Sequence, residues 1–299
     1  MAFTREIVVR EEEKGTRIDK LLSRLLSGIS RAKWQDLIKE GLVEIDGGRK
    51  KPSYQVKAGE GIRIKIPEDF DSTDLEPQDL PLEVIYEDDY LLGIDKPSPM
   101  VVHPGPGHED DTLANALVYH YPDLPPVPDP ARPGIVHRLD KDTSGVLAIA
   151  RTESVYDNLK EQFKERKVEK TYLALVEGGF EEGGGMIDAP IGRSSKDKTK
   201  MTVKLGGKES QTEFRVLEAF EDSSLLEVKP RTGRTHQIRV HMDYIGHRIV
   251  GDSYYGGRDC ERLMLHSKSL TFEHPETGEE VTLEASIPDP FKELTGEES

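Results

Sequence analysis

The sequence predicts an α+β protein with a small N-terminal α/β module over residues 1–66 and a larger body over residues 83–299. Three observations predict it. Ile18, Leu21, Leu22, Leu25 and Leu26 recur at helical spacing, so a short amphipathic helix opens the module. Gly61-Ile62-Arg63-Ile64-Lys65-Ile66 alternates strictly, the pattern of a half-exposed strand. From Glu83 onward, apolar strand-like runs and amphipathic helical stretches follow one another without an internal repeat. A length of 299 residues agrees with two domains of about 100–200 residues each.

Within the module, Ser30 is placed to cap a second helix, in which Trp34, Leu37 and Ile38 share a face. Trp34 on that apolar face reads as core rather than as a stacking platform. Gly41 ends the helix, and Leu42 to Ile45 reads as a strand that Asp46-Gly47-Gly48 turns. Residues 67–82 hold six acidic residues and no basic one, punctuated by Pro67, Pro77 and Pro81. Like charge and proline predict an extended linker there.

In the body, Val84-Ile85-Tyr86 and Leu91 to Lys96 read as strands. Pro99 to Asp110 is a Gly/Pro/His loop, and Thr112 opens a helix through Leu113, Ala114, Leu117 and Val118. Residues 122–134 are Pro-rich and irregular. Val146 to Ala150 is a buried strand, Val155, Leu159 and Phe163 mark a helix, and Lys170 to Val176 is a strand. Further strands fall near 212–219 and 224–230. Ile238, Met242 and Ile245 share a helical face that Gly246 stops.

Composition bounds the partners. No apolar run approaches the ~18 residues of a membrane span, and the start lacks the apolar core of a signal peptide. The single Cys260 allows no internal disulfide, so a reducing cytoplasm is expected. A net charge of −16 speaks against a nucleic-acid partner, but residues 1–66 hold 15 Lys and Arg against 10 Asp and Glu. A locally basic module on an acidic body is compatible with RNA; ordinary surface variation fits the count equally well.

Three places in the body carry chemistry. Val136-His137-Arg138-Leu139-Asp140-Lys141-Asp142-Thr143-Ser144-Gly145 is a dense polar run locked to the strand that follows, a placement typical of sites. In Lys170-Thr171-Tyr172 a phenol opens a strand. In Lys229 to Met242 a Gly-containing loop enters a helix whose amino end, flanked by Arg231 and Arg234, is a candidate anion site. His236 and Arg239, three apart, share a helical face. His137, His236 and His241 suggest a metal, but His236 and His241 are five apart, on different faces, and no Cys ligands accompany them. His103 and His108 either line a cleft or are exposed. Gly183-Gly184-Gly185 lacks the Lys-Ser/Thr and helix of a phosphate loop. The basic, flexible stretch Arg193 to Lys204 is either an RNA contact or a solvated hairpin.

These motifs resemble, in order, those of the RluA-type RNA pseudouridine synthases. Residues 137–145 fill the family's H-R-L-D-x-x-T-S-G signature, residues 170–172 its K-x-Y element, and residues 233–242 its G-R-T-H-Q-I-R-V-H-M element. Ile249 to Asp252 and Arg262 to Ser267 also fit. The helix-helix-strand module, over about residues 15–66, looks like an S4 RNA-binding domain. The resemblance implies the pseudouridine synthase fold, a mixed, largely antiparallel sheet with peripheral helices. It implies Asp140 as the catalytic aspartate, Tyr172 as the active-site tyrosine and Arg239 as the arginine pairing with Asp140, with Arg234 as second choice. Arg138 would fill the gap left by a flipped base and Leu265 would pack near the uracil, with His137 and Arg234 also binding substrate. Arg17, Arg31 and Lys33 would contact the RNA backbone.

The implied chemistry breaks the uracil N1–C1′ bond, turns the base, joins C5 to C1′ and removes the C5 proton. It demands no metal or redox cofactor, and none is signalled. A carboxylate is ionised near neutrality, at about pKa 3.9 unperturbed, and a close arginine favours and orients that form. It serves by attack at C1′, by stabilising positive charge, or by a glycal route. Asp142, Thr143 and Ser144 read as turn residues. The expected partner is large-subunit ribosomal RNA or a pre-ribosomal particle, with no membrane, and a monomer is the simplest state. The rivals are a noncatalytic RNA-binding ribosome assembly factor and an RNA N-glycosidase.

Overall fold

A computed structural model describes residues 3–26, 29, 31–66, 75–105, 107–108, 110–125, 132–180 and 183–295. Ser30, the expected cap, and residues 67–74 lie outside them. Residue contacts divide the chain into two units. The first holds residues 1–79, 103–110 and 114–134; the second holds residues 80–102, 111–113 and 135–299. The sequence reading instead kept 83–299 together.

In the first unit, β1 (Phe3–Val8), α1 (Ile18–Leu25), α2 (Arg31–Glu40), β2 (Val43–Ile45), β3 (Gly48–Arg49) and β4 (Gly61–Ile66) follow one another. The apolar faces expected of the two helices do meet the sheet: Ile18, Leu21, Leu22, Trp34, Leu37 and Ile38 form one core with Val43, Ile45, Ile62 and Ile64. Asp46 and Gly47, both at positive φ, make the tight turn into β3. The sheet runs β1-β4-β2-β3. Strand β1, antiparallel to β4, was not expected. Its Thr4, Arg5, Glu6 and Val8 are exposed, so it lacks a marked apolar alternation. Residues 75–79 are not a free extended linker: Leu75 is buried, the Gln78 amide donates to Asn115 O, and Asn115 Nδ2 donates to Glu76 O.

The second unit is built on β5 (Glu83–Glu87), β6 (Leu91–Lys96), β7 (Ser144–Ala150), β8 (Glu169–Glu177), β9 (Gly184–Asp188), β12 (Gln211–Ala219), β13 (Ser223–Pro230), β14 (Leu265–Glu273) and β15 (Glu280–Glu284). They form one nine-stranded sheet, ordered β5-β6-β7-β14-β8-β13-β12-β9, with β15 on β14. In this sheet, among the described residues, only β7 and β14 pair in parallel, so the mixed, largely antiparallel sheet of the α+β expectation is present. The short hairpin β10 (Ile191–Arg193) and β11 (Met201–Val203) orders what the sequence left as a basic, flexible stretch. Helix α3 (Leu113–His120) follows the loop after β6, and from Ala114 onward it belongs to the first unit. Helices α4 (Glu153–Lys164), α5 (Gln237–Tyr244) and α6 (Asp289–Thr295) complete the set. Thr152 caps α4, accepting the Val155 amide.

The polar run lands where β7 begins. All seven residues of β7 are buried, and Gly145 lets β14 approach, since a Cβ there would lie 2.1 Å from Ser267 O. Strand β8, between β14 and β13, carries Lys170 and Tyr172 on one face.

Candidate active site

A cleft of about 520 Å³ in the second unit gathers His137, Arg138, Asp140, Lys170, Tyr172, Arg234, His236, Arg239 and Leu265. That volume is ordinary for a small-molecule or nucleotide site, about 300–1,000 Å³. Its base is the Asp140 loop. The Thr143 amide closes a turn onto Asp140 O (3.2 Å), and the Met100 amide donates to Lys141 O (2.9 Å). Ser98 Oγ donates to Asp142 O at 2.7 Å. The fully buried Lys96 donates Nζ to the carbonyls of Pro97 (2.7 Å), Met100 (2.9 Å) and Lys141 (3.2 Å). One ammonium therefore ties the loop after β6 to the residue beside Asp140. Burial pushes Lys96 down to about 7, against the pull of Asp142 and Asp140. Nothing in the sequence marked Lys96. Ser144, expected in the turn, instead joins strands: its hydroxyl meets His266 Nδ1 (2.8 Å) and Arg262 Nη2 (2.5 Å).

The Asp140 carboxylate is about one-fifth exposed, at 21%, and among the described residues it receives no hydrogen bond. Arg239 Nη1 stands 3.5 Å from its Oδ2 and His236 Nε2 stands 4.0 Å away. Arg239 is spent mainly elsewhere. Its Nε and Nη2 each donate to Asp252, at 2.8 Å, a bidentate pair inside the protein. Its guanidinium also lies over the rings of Tyr254 and Tyr255, 5.7 and 5.3 Å from their centroids. Arg234 does not meet Asp140; its Nε donates to Glu209 O at 3.0 Å.

Asp252 and His236 were missed as site residues. Asp252 lay in a stretch noted only as fitting, and His236 was placed on a face with Arg239 and weighed as a metal ligand, but given no part in the reaction. His236 takes the left-handed conformation just before α5, with φ 56°. The Met201 amide donates to the Tyr255 hydroxyl (3.3 Å), which bonds His236 Nδ1 at 2.9 Å. The Nε2 edge of the same ring faces Asp140. Burial pushes the imidazolium down; Asp140 opposes this and Arg239 adds to it. The spacing of His236 and Arg239 was the available signal.

Tyr172 lines the same cleft, and burial pushes its phenol up to about 12, the Ser267 hydroxyl opposing and Asp140 adding. Leu265 is buried at the start of β14 and also lines the cleft. His137 accepts the Ala148 amide on Nε2 (2.9 Å) and stacks on Phe163, 4.6 Å between centroids. Burial pushes it down to about 3, with Lys170 and Lys160 adding, so it is a neutral wall. Arg138 is exposed and makes no hydrogen bond or ion pair among the described residues.

At the head of α5, where an anion site was expected, the Gln237 amide donates to Arg234 O (3.1 Å), Gln237 Oε1 accepts from Thr232 Oγ1 (2.6 Å) and the Arg234 amide (3.0 Å), and Arg231 pairs with Glu213 at 2.5 Å. The cleft is nevertheless cationic. Among the described residues, Arg138, Lys164, Arg166, Lys170, Arg231, Arg234 and Arg239 line it with a single carboxylate, Asp140, in a chain of net charge −16. Local charge, not the total, sets what the cleft attracts.

In the first unit, Arg17 and Arg31 converge on the fully buried Asp19 at 2.8 and 3.1 Å, and Gln35 Nε2 donates to it at 2.8 Å. Burial would raise that carboxyl, but hydrogen bonds from Arg17, Gln35 and Arg31 hold it down to about 2. Both guanidiniums remain roughly half exposed, so they are fixed yet open to a ligand. Lys33 stands on the same helix as Arg31.

Comparison with known proteins then adds independent findings. Residues 90–244 match the family model described as RNA pseudouridylate synthase, and residues 16–62 match the S4 domain. The RNA pseudouridine synthase YlyB of Bacillus subtilis is 43% identical over 97% of this chain and 96% of its own length. The protein named ribosomal large subunit pseudouridine synthase D of Vibrio cholerae is 41% identical over 96% of this chain and 92% of its own. Among solved structures, human RNA pseudouridylate synthase domain containing 1 superposes with a TM-score of 0.60 at 33% identity, covering 74% of this chain and 89% of that one.

Proposed function

Because this chain belongs to the RNA pseudouridylate synthase family and carries an S4 domain, we propose that it isomerises uridine to pseudouridine in structured RNA, with Asp140 as the catalytic carboxylate. The observation that carries this reading is a carboxylate that receives no hydrogen bond among the described residues and lines a cationic cleft with Arg239 and Tyr172. The relatives named for the large ribosomal subunit favour ribosomal RNA as the substrate. The cytoplasm is then the expected location; among the described residues no helix is long and apolar enough to cross a membrane.

The target uridine must first leave its stack, which costs a few kcal/mol and least in loops. Arg138, exposed and uncommitted, is placed to occupy the gap. The flipped base enters between Tyr172 and Leu265. Arg239, gripped by Asp252, holds Asp140 charged side outward, with Oδ atoms free to approach C1′. The carboxylate supports departure of N1 as the N1–C1′ bond breaks, the base turns, and C5 joins C1′. The C5 proton then leaves and N1 regains a proton, so nothing is oxidised. A phenol pushed up to about 12 keeps its proton at neutral pH. Tyr172 therefore acts first by its ring face, and its hydroxyl relays a proton by donating one while accepting another. Acid–base help of this kind is worth about 10²–10⁴ in rate.

Residues 1–66 serve as the RNA-finding module, joined through 67–82 to the catalytic body 83–299. The expected state is a monomer, since one copy holds every cleft residue named, and sedimentation equilibrium tests that. Incubation with RNA bearing 5-tritiated uridine tests the reaction. Tritium release without free uracil is expected; free uracil would indicate an N-glycosidase, and no release would leave an RNA-binding assembly factor. Loss of particular pseudouridines from large-subunit RNA in cells lacking this protein would identify the substrate.

A further inference from the structure

We propose that Lys170 forms a phosphodiester subsite in this cleft, receiving a backbone phosphate beside the uridine that enters next to Tyr172. The inference deepens the pseudouridine synthase reading and rests on it. It starts from which cations in the cleft are already neutralised. Arg239 is paired with Asp252, Arg166 with Glu209, Arg231 with Glu213 and Lys164 with Glu161. Lys170 has no carboxylate within 4.0 Å among the described residues. The one hydrogen bond of its ammonium there is a long one, 3.5 Å, to the carbonyl of Thr232.

An ammonium taken out of water without a counter-charge is unfavourable, and such groups are ordinarily paired or lose their proton. Lys170 shows that imbalance: burial, with Arg166 adding to it, pushes it down to about 8. An arriving anion would restore what the fold withholds. Geometry makes the site specific. Strand β8 pairs with β14 at both positions, Lys170 with Leu270 and Tyr172 with Ser267, and with β13 from Tyr172 onward. Lys170 and Tyr172 are two apart on one face, so the two side chains leave the sheet from positions set by a strand rather than by a loop. One Nζ proton meets Thr232 O, and two are left for a ligand. A compact point charge suits a single phosphate, whereas Arg138, longer and exposed, suits a vacated stack. The competing role for Lys170 is a strut that holds residues 230–236 through Thr232.

A fluorescein-labelled hairpin RNA with a heptauridine loop, titrated with the full chain between 50 and 300 mM KCl, separates the two. Lys170→Gln is expected to bind about tenfold more weakly at 100 mM salt, with a log–log salt slope shallower by about 0.7–0.9, the value of one phosphate contact. Lys170→Arg should keep the slope. An unchanged slope in Lys170→Gln would overturn the subsite. A second arm needs no stable variant: each loop phosphate in turn is replaced by a neutral methylphosphonate. One position should cost the wild-type chain about tenfold, and where Lys170→Gln folds it should cost that variant less than twofold. A wild-type chain indifferent to every position, or equal losses in both proteins, would overturn the proposal. Coupling at one position in a chain that never releases tritium would keep the subsite and remove the isomerase reading. Tritium release with no sensitive position would do the opposite.

Discussion

Asp19 in the first unit and Asp140 in the second both sit beside arginines, but they differ in what the arginines leave over. Asp19 is fully buried and takes hydrogen bonds from Arg17, Arg31 and Gln35. Asp140 is one-fifth exposed and takes none among the described residues, with its arginine 3.5 Å away and committed to Asp252. A carboxylate whose lone pairs are filled fixes neighbours in place. One held nearby but left unfilled is available to a substrate. The second unit contains both kinds: Asp252 is saturated by Arg239 and the Tyr255 amide, and by holding that arginine it keeps Asp140 unsaturated.

Removing Asp252 should break the comparison most severely. Asp252→Ala leaves the buried Arg239 without its partner and free to fold onto Asp140, making a second Asp19-like cluster. Losing one member of a buried pair costs about 3–5 kcal/mol, read by thermal unfolding. Single-turnover tritium release should fall about 100-fold, a loss of roughly 2.7 kcal/mol in transition-state stabilisation. A variant within threefold of the wild-type rate would show that Arg239 needs no holder.

A smaller effect is expected at Asp19. Its folded-state carboxyl is held below its ordinary value, to about 2, so its stabilising contribution is complete above about pH 4. That contribution declines as pH falls from about 4 through about 2. Asp19→Asn should destabilise the first unit by about 2 kcal/mol at pH 7 and flatten its acid transition. Trp34, the sole tryptophan and buried in that unit's core, reports the change by fluorescence. Wild type and variant with the same acid profile would contradict the assignment.

The smallest effect sharpens the comparison from the opposite side. Asp95 is buried on β6, and among the described residues only the Ser286 amide donates to it, at 3.1 Å. Burial first, with Glu83 adding, pushes it up to about 6. Its raised value means the folded state holds the proton longer, so its contribution is present below about pH 4 and is lost as pH rises through about 6. Asp95→Asn, neutral at every pH and still an acceptor, should stabilise the chain at pH 8 by about 1 kcal/mol. Calorimetry showing a loss at pH 8 would reverse the sign of this account.

How much of this was legible beforehand differed between regions for physical reasons. Helices α1 and α2 and strand β4 could be read because one face of each is buried, which leaves a period in the sequence. Strand β1 could not, because most of its side chains face water and Ile7 alone among its described side chains packs on the core, which leaves no period. Leu75 and Asn115, which anchor residues 75–79, gave no pattern because one apolar residue and one amide carry no period. Asp140, Tyr172 and Arg239 were marked by their motifs, and the fold gathers them with residues that carried no signal. The three carbonyls around Lys96 and the αL turn at His236 are backbone facts, invisible in side-chain identities. The charge balance misled in total and informed only locally, because the cleft concentrates cations that the acidic exterior outweighs.

The central claim is that the unsatisfied carboxylate, not the saturated ones, performs the chemistry. The most direct measurement is single-turnover tritium release from 5-tritiated uridine RNA by Asp140→Asn, with RNA affinity and thermal unfolding measured on the same sample. The account predicts a fall in rate of at least about 1,000-fold, roughly 4 kcal/mol, with the fold intact and RNA still bound. Release that persists within tenfold of wild type in a folded, RNA-binding Asp140→Asn protein would contradict it.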